Sequence, residues 1–176
     1  HVIRVACYSR LLAEALGMEL DALDMLSLTS PLHDVGKIGI PDSVLLKPGK
    51  LAPKERQVIE THTVIGAAIL SGDPKAIATA GSASVGRLLP DNPDSKIAPL
   101  NTAARIAECH HEKWNGAGYP KGLSGEDIPL EARVVAVADV YDALRSERPY
   151  KHAFPQEKAV GIVREESGRH FDPDIV

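Results

Sequence analysis

Aromatic side chains are scarce in this chain. One Trp, four Tyr and two Phe make up 4% of 176 residues. A core of ordinary size must therefore be built from Ala, Val, Ile and Leu. Cysteine is almost missing as well. Cys7 and Cys109 have no metal-type spacing, which excludes a cysteine-based zinc scaffold, and they read as free thiols of a reducing, cytoplasmic compartment. No charge of one sign dominates. A net charge of −4 argues against binding a nucleic-acid polymer or a membrane surface through bulk charge, though it leaves room for a local basic patch. No apolar run approaches the length of a membrane span, and no signal peptide is visible.

What is present is the composition of one globular domain, with 44% apolar and 25% charged residues. Helical periodicity dominates. Residues 1–16 carry a stripe of His1, Val5, Tyr8, Leu12 and Leu16, with Gly17 as the stop. A second helix is expected over 20–35, bent by Pro31. Residues 38–51 read as an ordered loop with a turn of helix at Asp42–Leu45. Pro53 opens a third helix with the stripe Val58, His62, Ile65 and Ile69. Residues 71–99, rich in Gly, Pro and small residues, read as a mobile surface excursion without a metal ligand, with a short helix at Lys75–Ala80.

From Leu100 a fourth helix runs through His110 and His111 to Trp114, where a glycine-proline loop, Asn115 to Pro120, ends it. Pro129 or Leu130 opens a fifth, with the stripe Ala132, Val135, Ala136, Asp139 and Ala143, and Pro155 opens a last one through Ser167. The tail from Asp172 resembles the start of another helix, and the chain opens on His1 without a cap. Both ends read as those of a single domain, 1–176, excised from a longer protein. No strand pair stands out, so the expected class is an all-α bundle.

Five histidines lie on helix faces that such a bundle brings together: His1, His33, His62, His110 and His111. Asp34 and Asp139 join them. One histidine on an apolar face is ordinarily a satisfied core residue. Two buried carboxylates among several imidazoles are different, because they require a compensating cation. Imidazole and carboxylate together suit Zn, Mn, Fe or Ni, and a carboxylate can bridge two ions. Such a pair of ions activates water at neutral pH and holds phosphoryl oxygens. Lys37, Arg148 and Lys151 would add positive charge for an anionic substrate. Asp142, one turn from Asp139, could orient a ligand or form a core salt bridge.

The runs His33-Asp34-Val-Gly-Lys37, His110-His111-Glu112-Lys-Trp-Asn-Gly116-Ala-Gly118-Tyr119-Pro120 and Asp139-Val-Tyr-Asp142 resemble the HD-GYP family of the HD superfamily of metal phosphohydrolases. The resemblance runs from His1 to Pro173. It implies an HD-domain helical bundle with a bi- or trinuclear metal site in its core, and a phosphodiesterase that converts cyclic di-GMP to linear pGpG, with further cleavage to GMP as an option. It places metal ligands at His33, Asp34, His62, His110, His111 and Asp139, with His1 as the extra ligand of some members. Asp34 and Lys37 take catalytic positions. Lys37, Asp142, Arg148, Lys151 and the loop Gly118, Tyr119 and Pro120 border the substrate.

The implied cofactors are two or three divalent ions, iron or manganese first, nickel or zinc as alternatives. The implied partners are a GGDEF-type protein at the Gly118–Tyr119–Pro120 loop and an upstream sensory or receiver domain. Another cyclic dinucleotide such as cyclic GMP-AMP, or a binding module with weak turnover, are the rival readings. One departure stands out: Asn115 occupies a position where the fuller motif often has Asp.

Overall fold

The structure is a computed structural model that describes residues 1–72, 98–147 and 152–176. It is all helical. The elements are α1 (Val2–Ala15), α2 (Leu20–Thr29), α3 (Asp42–Leu45), α4 (Pro53–Glu60), α5 (His62–Ser71), α6 (Ala98–Cys109), α7 (Leu130–Arg145) and α8 (Gln156–Glu165). Short 3-10 turns at Ser30–Leu32 and Val35–Gly39 link α2 to α3. Among the described residues there is no strand, and only two isolated bridges occur, Asn115 with Ser124 and Ser167 with Phe171. No helix among them is long and apolar enough to cross a membrane.

The main core lies where α1, α2, α6, α7 and α8 meet. Val5, Leu26, Ile106, Val134, Val135 and Phe171 are the larger of its fully buried members. A second layer is made almost wholly of small residues. Ala103, Ala104 and Ala107 of α6 pack with Leu70 of α5, and this helix pair makes the most extensive contact among the described helices. Small side chains let two helices approach closely, and the scarcity of aromatics has its structural counterpart here.

Several expectations are corrected in detail. The second helix stops at Thr29 rather than running to residue 35. Pro31 sits inside the 3-10 turn Ser30–Leu32; it has no N–H to give to an α-helical ladder, so the chain tightens there. The helix opened by Pro53 is two helices broken at Thr61, whose hydroxyl donates back to the Val58 carbonyl. That break resets the phase, and of the expected stripe only His62 is fully buried. Thr63, Gly66, Ala67, Ala68 and Leu70 are the other buried residues of α5, while Val58 and Ile69 are exposed. The fourth helix ends at Cys109, so His110 and His111 follow its last turn.

The tail forms a turn with the bonds of a helix start: the Asp174 N–H donates to Asp172 Oδ1 at 2.9 Å and the Ile175 N–H to the Asp172 carbonyl at 3.2 Å. Phe171 and Ile175 insert into the main core, and Asp172 pairs with Arg133, whose guanidinium also lies 5.7 Å from the Trp114 ring. The short helix expected at Lys75–Ala80, and most of the excursion around it, fall outside the described residues.

Gly36 shows what holds the turn after His33 and Asp34 in place. A Cβ built there would lie 1.9 Å from the His62 carbonyl oxygen and 2.4 Å from the Gly66 nitrogen, both backbone atoms that cannot swing aside. The turn is therefore pressed directly on the first turns of α5, and this brings Asp34 to His62. Gly36→Ala should force the two apart. The expected result is a loss of about 1–3 kcal/mol in urea-unfolding stability, with weakened divalent-metal uptake measured on the same sample.

Candidate metal centre

Four separate stretches deliver the site. The turn after α2 presents His33 and Asp34, the start of α5 presents His62, the end of α6 presents His110 and His111, and the middle of α7 presents Asp139. His1 reaches in from the start of α1. The side chains form two groups. Asp34, His62, His110 and His111 offer ligand atoms within 4.8 Å of one another, and His1, His33 and Asp139 do the same.

Asp34 lies between the groups. Its Oδ1 is 3.4 Å from His62 Nε2 and 3.8 Å from His110 Nε2, while its Oδ2 is 3.4 Å from His33 Nε2. Asp139 Oδ1 is 3.4 Å from His1 Nε2 and 4.0 Å from His33 Nε2. These gaps are long for hydrogen bonds. They match the edges of a coordination shell, where two ligands at about 2.1 Å from one ion sit roughly 3–3.5 Å apart.

The tautomers follow from the backbone. His33 Nδ1 lies 2.8 Å from the Ser30 carbonyl, His62 Nδ1 lies 2.6 Å from that of Ile59, and His110 Nδ1 lies 3.1 and 3.0 Å from those of Ile106 and Ala107. A carbonyl only accepts, so Nδ1 carries the proton and Nε2 keeps its lone pair. Those three Nε2 atoms and Asp34 Oδ1 are buried without a hydrogen-bond partner. Buried polar atoms are rarely left in this state, and four of them facing one space fit a divalent cation.

The electrostatics agree. Burial lowers the pKa of His62, takes that of His110 well down, and takes that of His111 to about 3, so all three rings are neutral and able to ligate at pH 7. Burial also opposes ionisation of Asp34, but the His33 ring beside it and the Lys37 charge outweigh it and hold the carboxyl far below the usual range. Burial depresses His33 too, and there the nearby Asp34 and Asp139 carboxylates prevail and raise it.

Around this centre the other expected residues fall unevenly. Lys37 lies 2.6 Å from Asp34 Oδ2 with its side chain 39% exposed, at the edge of a cavity of about 320 Å³. His1, Asp34, Lys37, His111 and Asp139 line that cavity. His1 is less enclosed than its place in the α1 stripe implies, with 38% of its side chain exposed. Asp142, expected to border the substrate, is buried. It accepts from His1 Nδ1 at 2.8 Å and from Arg4 Nε at 2.6 Å, the position of a support behind His1.

Tyr119 lies over His111, and Gly118 and Pro120 flank it in the same loop. Asn115 is exposed and its Oδ1 accepts the Ala117 N–H at 3.0 Å. Arg148 and Lys151 lie outside the described residues. Sequence reasoning missed Arg4 and the buried carboxylate of Glu112. Arg4 sits one turn beyond His1 on the same helix face, a spacing that could have revealed it; Glu112 was visible only as part of the motif.

An all-α domain with a buried cluster of imidazoles and carboxylates, shaped for divalent ions and open to a polar cleft, is of the class of HD/HD-GYP-type metal-dependent phosphohydrolases. The chain belongs to the HD domain family, whose model matches residues 1–175.

Among its curated relatives, a cyclic di-GMP phosphodiesterase of Vibrio cholerae is 44% identical over 100% of this chain and 34% of its own length. A 3'3'-cGAMP-specific phosphodiesterase 2 of the same organism is 39% identical over 100% of this chain and 30% of its own length. The chain thus spans about a third of these relatives. A solved structure of an HDG"Y"P protein from Bdellovibrio bacteriovorus superposes with a TM-score of 0.67 at 24% identity, covering 99% of this chain and 49% of that one, and so shares the fold.

Two outcomes follow from the site. Without metal, His62, His110 and His111 bind fewer protons folded than unfolded, because their folded pKa values lie below the ordinary 6.5. Their contribution to stability is complete above pH 6.5 and is lost as the pH falls below it, down to about 3 for His111. Asp34 has the same sign at lower pH, and the raised pKa values of His33 and of the buried Glu112 oppose. Metal-free protein should therefore melt at a lower temperature at pH 5 than at pH 7.5, as read by calorimetry. Asn115→Asp keeps the acceptor for Ala117 and sits at the surface. It should leave bound metal, measured by elemental analysis, equal to the parent or modestly higher.

Proposed function

We propose that this domain is a metal-dependent phosphodiesterase that opens cyclic di-GMP to linear pGpG. The observation that carries the reading is the convergence of His33 Nε2, His62 Nε2, His110 Nε2 and Asp34 Oδ1, buried and unpartnered, beside the cavity edged by Lys37. The names of several relatives support the substrate class.

Two divalent ions would be held by Asp34, His62, His110 and His111 on one side and by His1, His33 and Asp139 on the other, with iron or manganese favoured by the mixed imidazole–carboxylate donors. When bound, they supply Lewis acidity and an activated water.

The chain's own residues do the rest. Asp34 presents one oxygen to each group and thereby fixes their spacing. Lys37 offers its ammonium at the cleft, where it stabilises charge on a phosphoryl oxygen. Asp142 and Arg4 keep His1 oriented. Tyr119 walls the cleft beside His111. Arg148 and Lys151 complete the phosphate contacts in this proposal, and a GGDEF-type partner at the Gly118–Pro120 loop and an upstream sensory or receiver domain belong to it as well.

A second reading, cleavage of 3'3'-cGAMP, is favoured by the 39% identity to a relative named for that substrate. The deciding measurement is product analysis of manganese- or iron-loaded protein offered cyclic di-GMP and 3'3'-cGAMP in parallel. The expected result is faster turnover of cyclic di-GMP, abolished by chelation and by Asp34→Ala. Faster turnover of cGAMP would select the second reading. Full activity after exhaustive chelation would sink both.

A further inference from the structure

The loop after Gly116 carries none of the metal-binding side chains, yet it lies against one of them. The Tyr119 N–H donates to the His111 carbonyl at 3.3 Å, and the Tyr119 ring covers the His111 ring with centroids 4.9 Å apart and a tilt of 30°. His111 is unlike the other imidazoles of its group. His62 and His110 are each fixed through Nδ1 to a backbone carbonyl, as is His33 beside them. Among the described residues no hydrogen bond or ion pair holds the His111 ring. Its neighbours are rings: His110 at 4.0 Å, Tyr119 at 4.9 Å and His62 at 5.2 Å.

What fixes Tyr119 is the residue next to His111. Glu112 is 2% exposed and belongs to neither metal-binding group. Its carboxylate accepts the backbone N–H of Lys121 at 2.7 Å and that of Leu123 at 3.1 Å. Lys121 Nζ adds an ion pair to Glu108 at 2.8 Å, off the hydrogen-bonding direction. The loop sits so close that a Cβ on Gly118 would lie 2.3 Å from the Lys113 nitrogen and 2.5 Å from Glu112 Cα. Glu112 thus ties down the far side of the same loop whose near side carries Tyr119.

We propose that Glu112 is a positioning residue for the metal centre: by binding the loop amides it keeps the Tyr119 ring on His111, and ring stacking, in place of a hydrogen bond, orients this one ligand. The proposal rests on the reading of the cluster as a metal site. It gives the loop a second duty beyond bordering the substrate, because a shift of the loop would reorient His111 while His33, His62 and His110 stay anchored to backbone.

The test compares the parent with Glu112→Gln, Tyr119→Ala and Tyr119→Phe. Mn(II) titration gives the affinity of each site, and side-chain imidazole NMR of the metal-free proteins gives the environment of each ring. Glu112→Gln and Tyr119→Ala should weaken one of the two Mn(II) sites about 10-fold or more and leave the other unchanged. In metal-free protein both should move the His111 ring signals more than those of His33. Tyr119→Phe keeps the ring and should match the parent in both measurements.

Equal weakening of both sites in step with a lower melting temperature would reduce Glu112 to a fold residue and overturn the proposal, as would unchanged affinity at both sites. Should Glu112→Gln fail to fold, Tyr119→Ala carries the same comparison. A parent that takes up no Mn(II) would defeat the metal reading and the proposal with it. Uptake by the parent with unmoved His111 signals in the variants would defeat the proposal alone.

Discussion

Asp34 Oδ1 faces His62 and His110 while Oδ2 faces His33, and the nitrogens that face it have no other partner. An ionised carboxylate in so enclosed a place is costly unless positive charge balances it. Lys37 balances part, from the solvent side. The buried side is lined by neutral imidazoles whose lone pairs, set by their Nδ1 hydrogen bonds, point inward and cannot donate to the carboxylate. A cation resolves both the carboxylate and the lone pairs at once, and this is the constraint on which the rest of the arrangement depends.

Meeting that constraint requires four chain segments to come unusually close, which governs the choice of residues around the site. Gly36 lies against the backbone of His62 and Gly66, and Gly66 in turn faces Ala107. Any larger side chain at this crossing would push Asp34 away from His62. The alanines of α6 have the same consequence for His110, since Ala103, Ala104 and Ala107 bring the helix that ends at Cys109 onto α5. Bulk is confined to the other side of the bundle, where Phe171, Leu26 and Ile106 fill the main core. A chain with few aromatics is thus suited to a domain whose centre is occupied by ligands.

The helical class and the seven candidate ligand positions are legible because their signals are local: periodicity, opening prolines, and ionisable residues on apolar stripes. His62 illustrates both the reach and the limit of this. It was read correctly as buried, but from a stripe whose other members, Val58 and Ile69, turn out to be exposed, because Thr61 breaks the helix and periodicity cannot sense the reset. The tail shows the same limit. Asp172 and Pro173 have the local look of a helix start, and Asp172 does cap the Asp174 N–H, but the Asp172–Arg133 pair and the burial of Phe171 that fix the tail are long-range. Arg4 acts through Asp142, 138 residues away, which no sequence window contains, and Glu112 acts on the Lys121 and Leu123 amides, 9 and 11 residues on, across an irregular loop that helical periodicity does not describe.

The distribution of ligands over the chain also sets what the ions do for the fold. His1, the His33–Asp34 turn, His62, the His110–His111 pair and Asp139 lie far apart in the unfolded chain, so a site with this geometry exists only when α1, α5, α6 and α7 are assembled. An ion that binds the folded state and not the unfolded one stabilises folding by its own binding free energy. The same ion removes the mutual repulsion and the stranded lone pairs that weaken the empty cluster. Stability and chemistry are therefore drawn from one set of contacts. Residues that merely orient ligands, such as Asp142 behind His1, stand where they influence both.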